Sequence, residues 1–389
     1  MKTVFFGPFV GEFGWEMLYW HAWVNKVSKN KFKDYKKIVA SFPGRQSFYP
    51  NADEYWQHPE EFNKYFKSCN GYITDYWKDG FPRGNKSVQQ EFLGIFKYET
   101  WEFFEPKQDQ VDVSDKANEL LSLYKAKLPD ETEYFVPFSL NSIDNMRFGV
   151  SITDIIRTDE DIQQKHIPFD KQEFLILEPP KLTFSYLEEY LDPGERIIAI
   201  YPRNRENRRP DKNWNKENYE SLINMLLEKF PDHKIGLFGS PGEAFFDDHC
   251  PKGCLDFINL PADERMNIQV AALKQADLAI GSLSGAMVVA RSCDVPVITW
   301  GLLRDSSRFH DENQLDIETI FHPVQYPDPK EIFLLSSAIL NKTIDYNVPY
   351  QDWCSRSFLI NHDGNKSLAR YKLTNLLDKI GYASNKIFS

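Results

Sequence analysis

Cysteine is scarce and odd in number: Cys69, Cys250, Cys254, Cys293 and Cys354 are the five in 389 residues. That excludes a disulfide scaffold and fits reduced thiols in a cytosolic protein. Cys250 and Cys254 have no second Cys or His pair at ligand spacing beside them, so no structural zinc is expected. No stretch reaches the ~18 consecutive apolar residues of a membrane helix. The N-terminus, MKTVFFGPFVGEFGWE, lacks the apolar core and cleavage site of a signal peptide. The expectation is a cytoplasmic enzyme or binding protein with no transmembrane segment, peripheral membrane contact being left open. Positive charge is also short, with 46 Lys and Arg against 57 Asp and Glu and a net charge of -11, which argues against broad nucleic-acid binding. Internal repeats and low-complexity tracts are missing too.

What is present is an ordinary globular mixture, 42% hydrophobic and 26% charged, with one excess: 30 Phe, 19 Tyr and 9 Trp make up 15% of the chain. The balance excludes a disordered chain or a fibre, and the length suits two domains. A short apolar run, Thr3 to Phe6, leads into a Gly-punctuated loop, Gly7 to Gly14. Trp15, Leu18, Tyr19, Ala22, Trp23 and Val27 then recur at helical spacing, and Lys37 to Phe42 reads as the next strand. Residues 45–110 are rich in aromatics, Pro and Gly without clean periodicity, which predicts long loops and short elements; Glu133 to Phe138 is a further strand candidate. Prolines at 168, 179, 180 and 193 mark a linker.

Beyond the linker the pattern is regular. Strands are predicted at Ile197–Tyr201, Lys234–Phe238, Leu255–Ile258, Leu278–Ile280 and Val295–Trp300. They alternate with helices carrying Tyr219 to Phe230, running from an Asp263 N-cap through Ala276, and spanning Gly285 to Cys293. Such alternation predicts a parallel sheet with helices on both faces. Helices at Lys330–Leu340 and Leu368–Ile380 close the chain. The organisation expected is an N-terminal domain with aromatic-rich loops over 1–170, a linker over 171–195, a second domain over 196–345 and a C-terminal helical segment over 346–389 that packs back on the first domain.

In a doubly wound sheet the ligand lies beyond the carboxyl ends of the strands. The first such loop, GPFVGEFGWE, spaces its glycines four and three apart, not as the G-x-G-x-x-G of a dinucleotide site. No acidic residue closes the next strand either, so a nicotinamide enzyme is disfavoured. Glu12 inside this turn and Glu16 in the first turn of the helix are the candidate general bases, although an acid at Glu16 also suits the helix dipole. The second loop follows Tyr201: from 201 to 216 stand Arg203, Arg205, Arg208, Arg209, Lys212 and Lys216 against Glu206 and Asp211, six basic less two acidic for a local +4. Such a cluster after a strand in an acidic protein reads as an anion site. The third is Gly281-Ser282-Leu283-Ser284-Gly285-Ala286-Met287, whose small residues let a ligand approach a helix N-terminus, with a second glycine turn at Gly239-Ser240-Pro241-Gly242-Glu243. A P-loop Lys is missing.

The order of Asp211-Lys212-Asn213-Trp214, helix, strand with GSPGE, and ADLAIGSLSGAMVVARSCDVPVITWG resembles the donor domain of the heptosyltransferase-like glycosyltransferases, family nine, of the GT-B fold. Gly11-Glu12 resembles that family's Gly-Asp turn, and Leu283-Ser284-Gly285 stands where it has Asp-Thr-Gly. Leu283 and Val288 depart from its Asp and His. Arg203 and Arg205 are also similar to the Arg-rich strand end of the GDP-fucose-using fucosyltransferases. The resemblance implies two Rossmann-like domains facing a cleft and an inverting, metal-independent transfer from a UDP-, GDP- or ADP-linked sugar to a glycan or other hydroxyl acceptor. Glu12 is then the base; Arg203, Arg205, Lys212 and Gly239 with Ser282, Ser284, Gly285 and Ala286 hold the donor; no cofactor is needed. The one D-x-D-like run, Asp159-Glu160-Asp161, is not expected to hold a metal. A nucleotide-sugar epimerase of the same fold and a non-catalytic carbohydrate-binding protein, with aromatics such as Tyr55, Trp56, Tyr72, Tyr76 and Trp77 as sugar platforms, are the alternatives.

Overall fold

In this computed structural model the described residues are 1–10, 13, 16–62, 113–136, 174–181, 183–192, 194–205, 212–301, 317, 319–322 and 324–342. Glu12, Tyr72, Tyr76, Trp77, Asp159–Asp161, Arg208, Arg209, the predicted helix Leu368–Ile380 and the segment 346–389 lie outside them. The chain divides into two units, Met1–Glu173 and Phe174–Ser389.

The first unit is built on four strands, β1 (Thr3–Phe6), β2 (Lys36–Ser41), β3 (Glu54–Gln57) and β4 (Glu133–Phe135), in the order β3-β2-β1-β4, all parallel. Parallel neighbours need crossovers, and α1 (His21–Lys29) and α2 (Val113–Lys125) are the described helices in them. α1 follows directly on a π-helical turn at Glu16–Trp20. Every residue of β1 is buried, and alternation sends its two phenylalanines to opposite faces. Phe5 packs on Trp56 and Tyr124 with ring centroids 5.9 and 5.6 Å away, while Phe6 packs on Trp23, Phe32 and Phe135 at 6.0, 5.7 and 5.6 Å. Part of the aromatic excess is therefore the core of this sheet. Trp56, held as a candidate sugar platform, is half-buried on the edge strand, where it packs on Phe5 and Tyr124.

The second unit runs α3 (Thr183–Leu187), β5 (Arg196–Tyr201), α4 (Lys216–Lys229), β6 (His233–Leu237), β7 (Cys254–Asp256), α5 (Arg265–Leu273), β8 (Ala276–Ser282), α6 (Gly285–Ser292), β9 (Val297–Trp300), β10 (Thr319–His322) and α7 (Pro329–Leu340). The six strands are parallel in the order β10-β9-β8-β5-β6-β7. That is the doubly wound order of a dinucleotide-type fold, reversing between β5 and β8. α4 packs against α7, and α5 against α3 and α6. Asn215, extended, caps α4 by accepting from the Asn218 N–H at 2.9 Å, and Asp328 caps α7 in the same way from Lys330.

Three local readings change. The helix predicted from an Asp263 cap starts at Arg265 instead, with Glu264 in the cap position and no side-chain cap bond, and it stops at Leu273 because Ala276 already begins β8. Strands β3 and β10 were not foreseen. Glu54-Tyr55-Trp56-Gln57 pairs with β2 at the sheet edge, half-buried and without the alternation that marks a strand.

Candidate functional site

The order reversal puts the ends of β5 and β8 side by side, with Tyr201 in register with Gly281. Gly281 keeps that pairing close: a Cβ there would come 2.8 Å from Met287 Sδ and 2.9 Å from Tyr201 Cβ. Beyond β5 the chain is laid against the loop that follows β6. Arg203 bridges Ala244, the Asn204 N–H donates to Glu243 O at 2.9 Å, and the Phe245 N–H donates to Pro202 O at 2.7 Å. Gly239 turns that second loop at φ +152, where a Cβ would meet Ala244 Cβ at 2.9 Å. From α5, Gln269 fixes it by donating to Gly239 O at 2.8 Å and Phe257 O at 2.7 Å.

The cations expected at this strand end are differently partnered. Arg203, 9% exposed, donates from Nη1 to Asn213 Oδ1. The Arg205 guanidinium is committed to Glu243, with Nη2 at 2.6 Å and Nε at 3.1 Å from Oε2. Lys212 donates from Nζ to Leu283 O at 3.4 Å, which brings the segment 212–214 against the entry to α6. There Ser284 is extended in the cap position and makes no side-chain cap bond. The N–H groups of Gly285 and Ala286, in the first turn, have no carbonyl a turn earlier to bond, as at any helix start. Ser282 is only 2% exposed, with its hydroxyl towards Tyr219; among the described residues the Thr299 hydroxyl and Trp300 Nε1 on β9 are buried without a hydrogen-bond partner.

Arg203, Arg205, Lys212, Gly239, Ser282, Ser284, Gly285 and Ala286 thus gather around one end of one sheet. Sequence reasoning missed Asn213, which ties Arg203 to Arg205, and it did not assign Glu243 a role, although an acid ending a glycine turn opposite a +4 loop was a signal.

In the first unit the corresponding strand ends carry a second cluster. The loop after β1 is threaded between neighbours, the Gly7 N–H donating to Phe135 O at 2.8 Å and the Phe9 N–H to Ala40 O at 2.9 Å. Gly7 has φ +136, and a Cβ would stand 2.5 Å from Ala40 O. Glu16 is 0% exposed and accepts from Ser41 Oγ at 2.6 Å, Tyr49 OH at 2.6 Å and Arg45 Nη1. Burial, then the Glu16 carboxylate, pushes the Tyr49 hydroxyl well above its ordinary pKa, so it acts as a donor. Arg45 lies over the rings of Phe42 and Phe13, its guanidinium carbon 4.3 and 5.0 Å from their centroids. His21 donates from Nδ1 to Glu16 O at 3.0 Å, and burial pushes its pKa down to about 4. His58 bridges Phe9 O at 2.8 Å and Tyr124 OH at 3.0 Å, and burial takes it to about 3. Among the described residues, no group of three or more His, Cys, Asp or Glu side chains is placed to hold a metal ion.

Residues 173–304 match the family model described as glycosyltransferase family 9 (heptosyltransferase). Among solved structures the chain is similar to ADP-heptose LPS heptosyltransferase II of E. coli at 14% identity and a TM-score of 0.48, covering 88% of this chain and 100% of that one. It is similar to a family 9 glycosyl transferase from Veillonella parvula at 13% identity and 0.45, covering 96% and 97%. The E. coli heptosyltransferase WaaC with ADP-2-deoxy-2-fluoro heptose follows at 11% and 0.43, covering 88% and 100%. Among curated proteins none matches. The family match falls on the segment whose motifs carried the resemblance, about a third of the chain, and lies on the doubly wound sheet of the second unit; both units are α/β with parallel, Rossmann-like sheets.

Proposed function

We propose that the protein is a glycosyltransferase that moves a sugar from a nucleotide-sugar donor to an acceptor hydroxyl by a single inverting displacement and without a metal ion. The observation that carries the reading is the meeting of Arg203, Lys212 and the start of α6 at the β5/β8 reversal of a family 9 segment. In that reading the acceptor oxygen attacks the anomeric carbon as its proton passes to Glu12. The bond from that carbon to the diphosphate oxygen breaks, and the nucleoside diphosphate leaves with the electron pair. Charge grows on the leaving group, so fixed cations and helix N–H groups aimed there lower the barrier. Arg203 and Lys212 supply the cations, and Ser284, Gly285 and Ala286 the helix start. Fixed cations do what a metal does elsewhere, so transfer is expected to survive EDTA. Glu16, whose oxygens are taken up by Ser41, Tyr49 and Arg45, holds the helical turn that begins at Glu16 to the end of β2 and the loop after it.

The test is a thermal-shift panel with UDP, GDP, ADP and CMP, since a ligand at about 100 times its Kd stabilises the folded state by about 2.7 kcal/mol. One diphosphate is expected to raise the melting temperature more than CMP does. No shift with any of them at millimolar concentration would refute the reading. Glu12→Gln is expected to keep the shift while sugar transfer falls by about 100-fold or more, in the range of general-base loss.

A further inference from the structure

We propose that Asn213 is the positioning residue of this anion site, its neutral amide aiming the Arg203 guanidinium at the leaving group while adding no negative charge of its own. The inference rests on the reading of the second unit as a nucleotide-sugar site. Asn213 Oδ1 accepts from Arg203 Nη1 and from the Arg205 N–H at 3.1 Å, and its Nδ2 donates to Arg205 O at 2.9 Å. The two backbone bonds fix which end of the amide is oxygen, because an N–H needs an acceptor and a carbonyl a donor. Oδ1 is thereby presented to Arg203.

The mount is rigid. Next along the chain, Trp214 is fully buried, donates from Nε1 to Pro327 O at 3.0 Å, and packs against Trp300 and Tyr219 with ring centroids 4.8 and 4.9 Å away. Asn215 then caps α4, and on the other side Lys212 reaches Leu283 O. One short segment therefore sets Lys212 towards the α6 start and Arg203 through Asn213. The contrast with Arg205 is chemical. Its guanidinium is held by the Glu243 carboxylate, which opposes its charge, whereas an amide oxygen holds a guanidinium without contributing a negative charge.

The experiment titrates ADP, UDP and GDP into the full-length protein and into Asn213→Ala, Asn213→Asp, Arg203→Ala and the Asn213→Ala/Arg203→Ala double variant, with melting temperatures recorded for each. The diphosphate that binds the parent protein is expected to bind Asn213→Ala about tenfold more weakly, and Asn213→Asp more weakly still although Asp keeps the shape of Asn. In the Arg203→Ala background the Asn213→Ala change is expected to cost less than about twofold, because its effect passes through Arg203. A merely structural role gives the reverse order, with Asp milder than Ala, and losses that add. Either result overturns the proposal while leaving the site in place. Should Asn213→Ala fail to fold, Asn213→Asp alone and with Arg203→Ala completes the cycle. If no diphosphate binds the parent protein, the site reading falls and this inference with it.

Discussion

Glu16 and Glu243 are both carboxylates paired with arginine, and their surroundings give the two pairs opposite consequences. Glu16 is enclosed by Ser41, Tyr49 and Arg45, with no exposed surface. Glu16→Ala leaves Arg45 without its counter-charge between the rings of Phe13 and Phe42 and deprives two hydroxyls of their acceptor. Breaking a buried pair from one side costs about 3–5 kcal/mol. A lowered melting transition of the first unit, followed by its near-ultraviolet aromatic signal, is the expected outcome; an unchanged one would show that the pair is dispensable. Glu243 and Arg205 are instead about a third exposed, at 30% and 27%, so solvent screens them and the pair itself adds at most about 1 kcal/mol. Its effect belongs to binding: Glu243→Gln removes a negative charge from the proposed diphosphate site. We expect nucleoside diphosphate affinity, by titration calorimetry, to rise by up to about fivefold, the equivalent of that same energy. Weaker binding would mean that Glu243 acts by placing Arg205.

At the scale of elements, the loop after β6 depends on Gly239, which has both a positive φ and no room for a side chain. Gly239→Ala brings a methyl group to 2.9 Å from Ala244 Cβ, so the loop must shift against Arg203, whose bridge partner is Ala244. The expected result is a second unit destabilised by about 1–3 kcal/mol with weaker diphosphate binding. Gly242→Ala, in open space three residues on, bears only the penalty of its φ of +75 and serves as the control. These loops were legible as glycine turns after strands, and so were β5, α4, β6, β8 and α6, because each strand is a short buried apolar run and each helix carries apolar residues at helical spacing. β3 was not, since a half-buried edge strand of Glu, Tyr, Trp and Gln has no apolar run to read. The anion site was legible as a charge cluster but not as a sorted one. Nothing in the sequence says that Arg205 meets Glu243 while Arg203 meets Asn213, because both contacts depend on the register that lays residues 202–205 against 243–245.

Among the described residues, the histidines whose pKa burial pushes down fall in one unit. His21 and His58 both lie in the first unit, buried and hydrogen-bonded, with pKa values held down to about 4 and about 3. An unfolded chain titrates histidine near 6.5, so above that pH both states are neutral and the residues contribute nothing to the pH dependence. Below it the unfolded state takes up protons that the folded state refuses, and stability falls with pH by about 1.4 kcal/mol per unit for each histidine until the folded values are reached. Two such residues in one sheet unit double the slope. Scanning calorimetry at pH 7.5, 6.5, 5.5 and 5.0 is therefore expected to show a first-unit transition that moves steeply downward below about pH 6. Adding the nucleoside diphosphate that binds identifies the other transition, since only the unit that holds the ligand is stabilised by it. His58→Gln, if it folds, should flatten the acid slope of the first transition by about half. A slope shared equally by both transitions, or one untouched by that substitution, would place the acid-sensitive groups elsewhere in the chain.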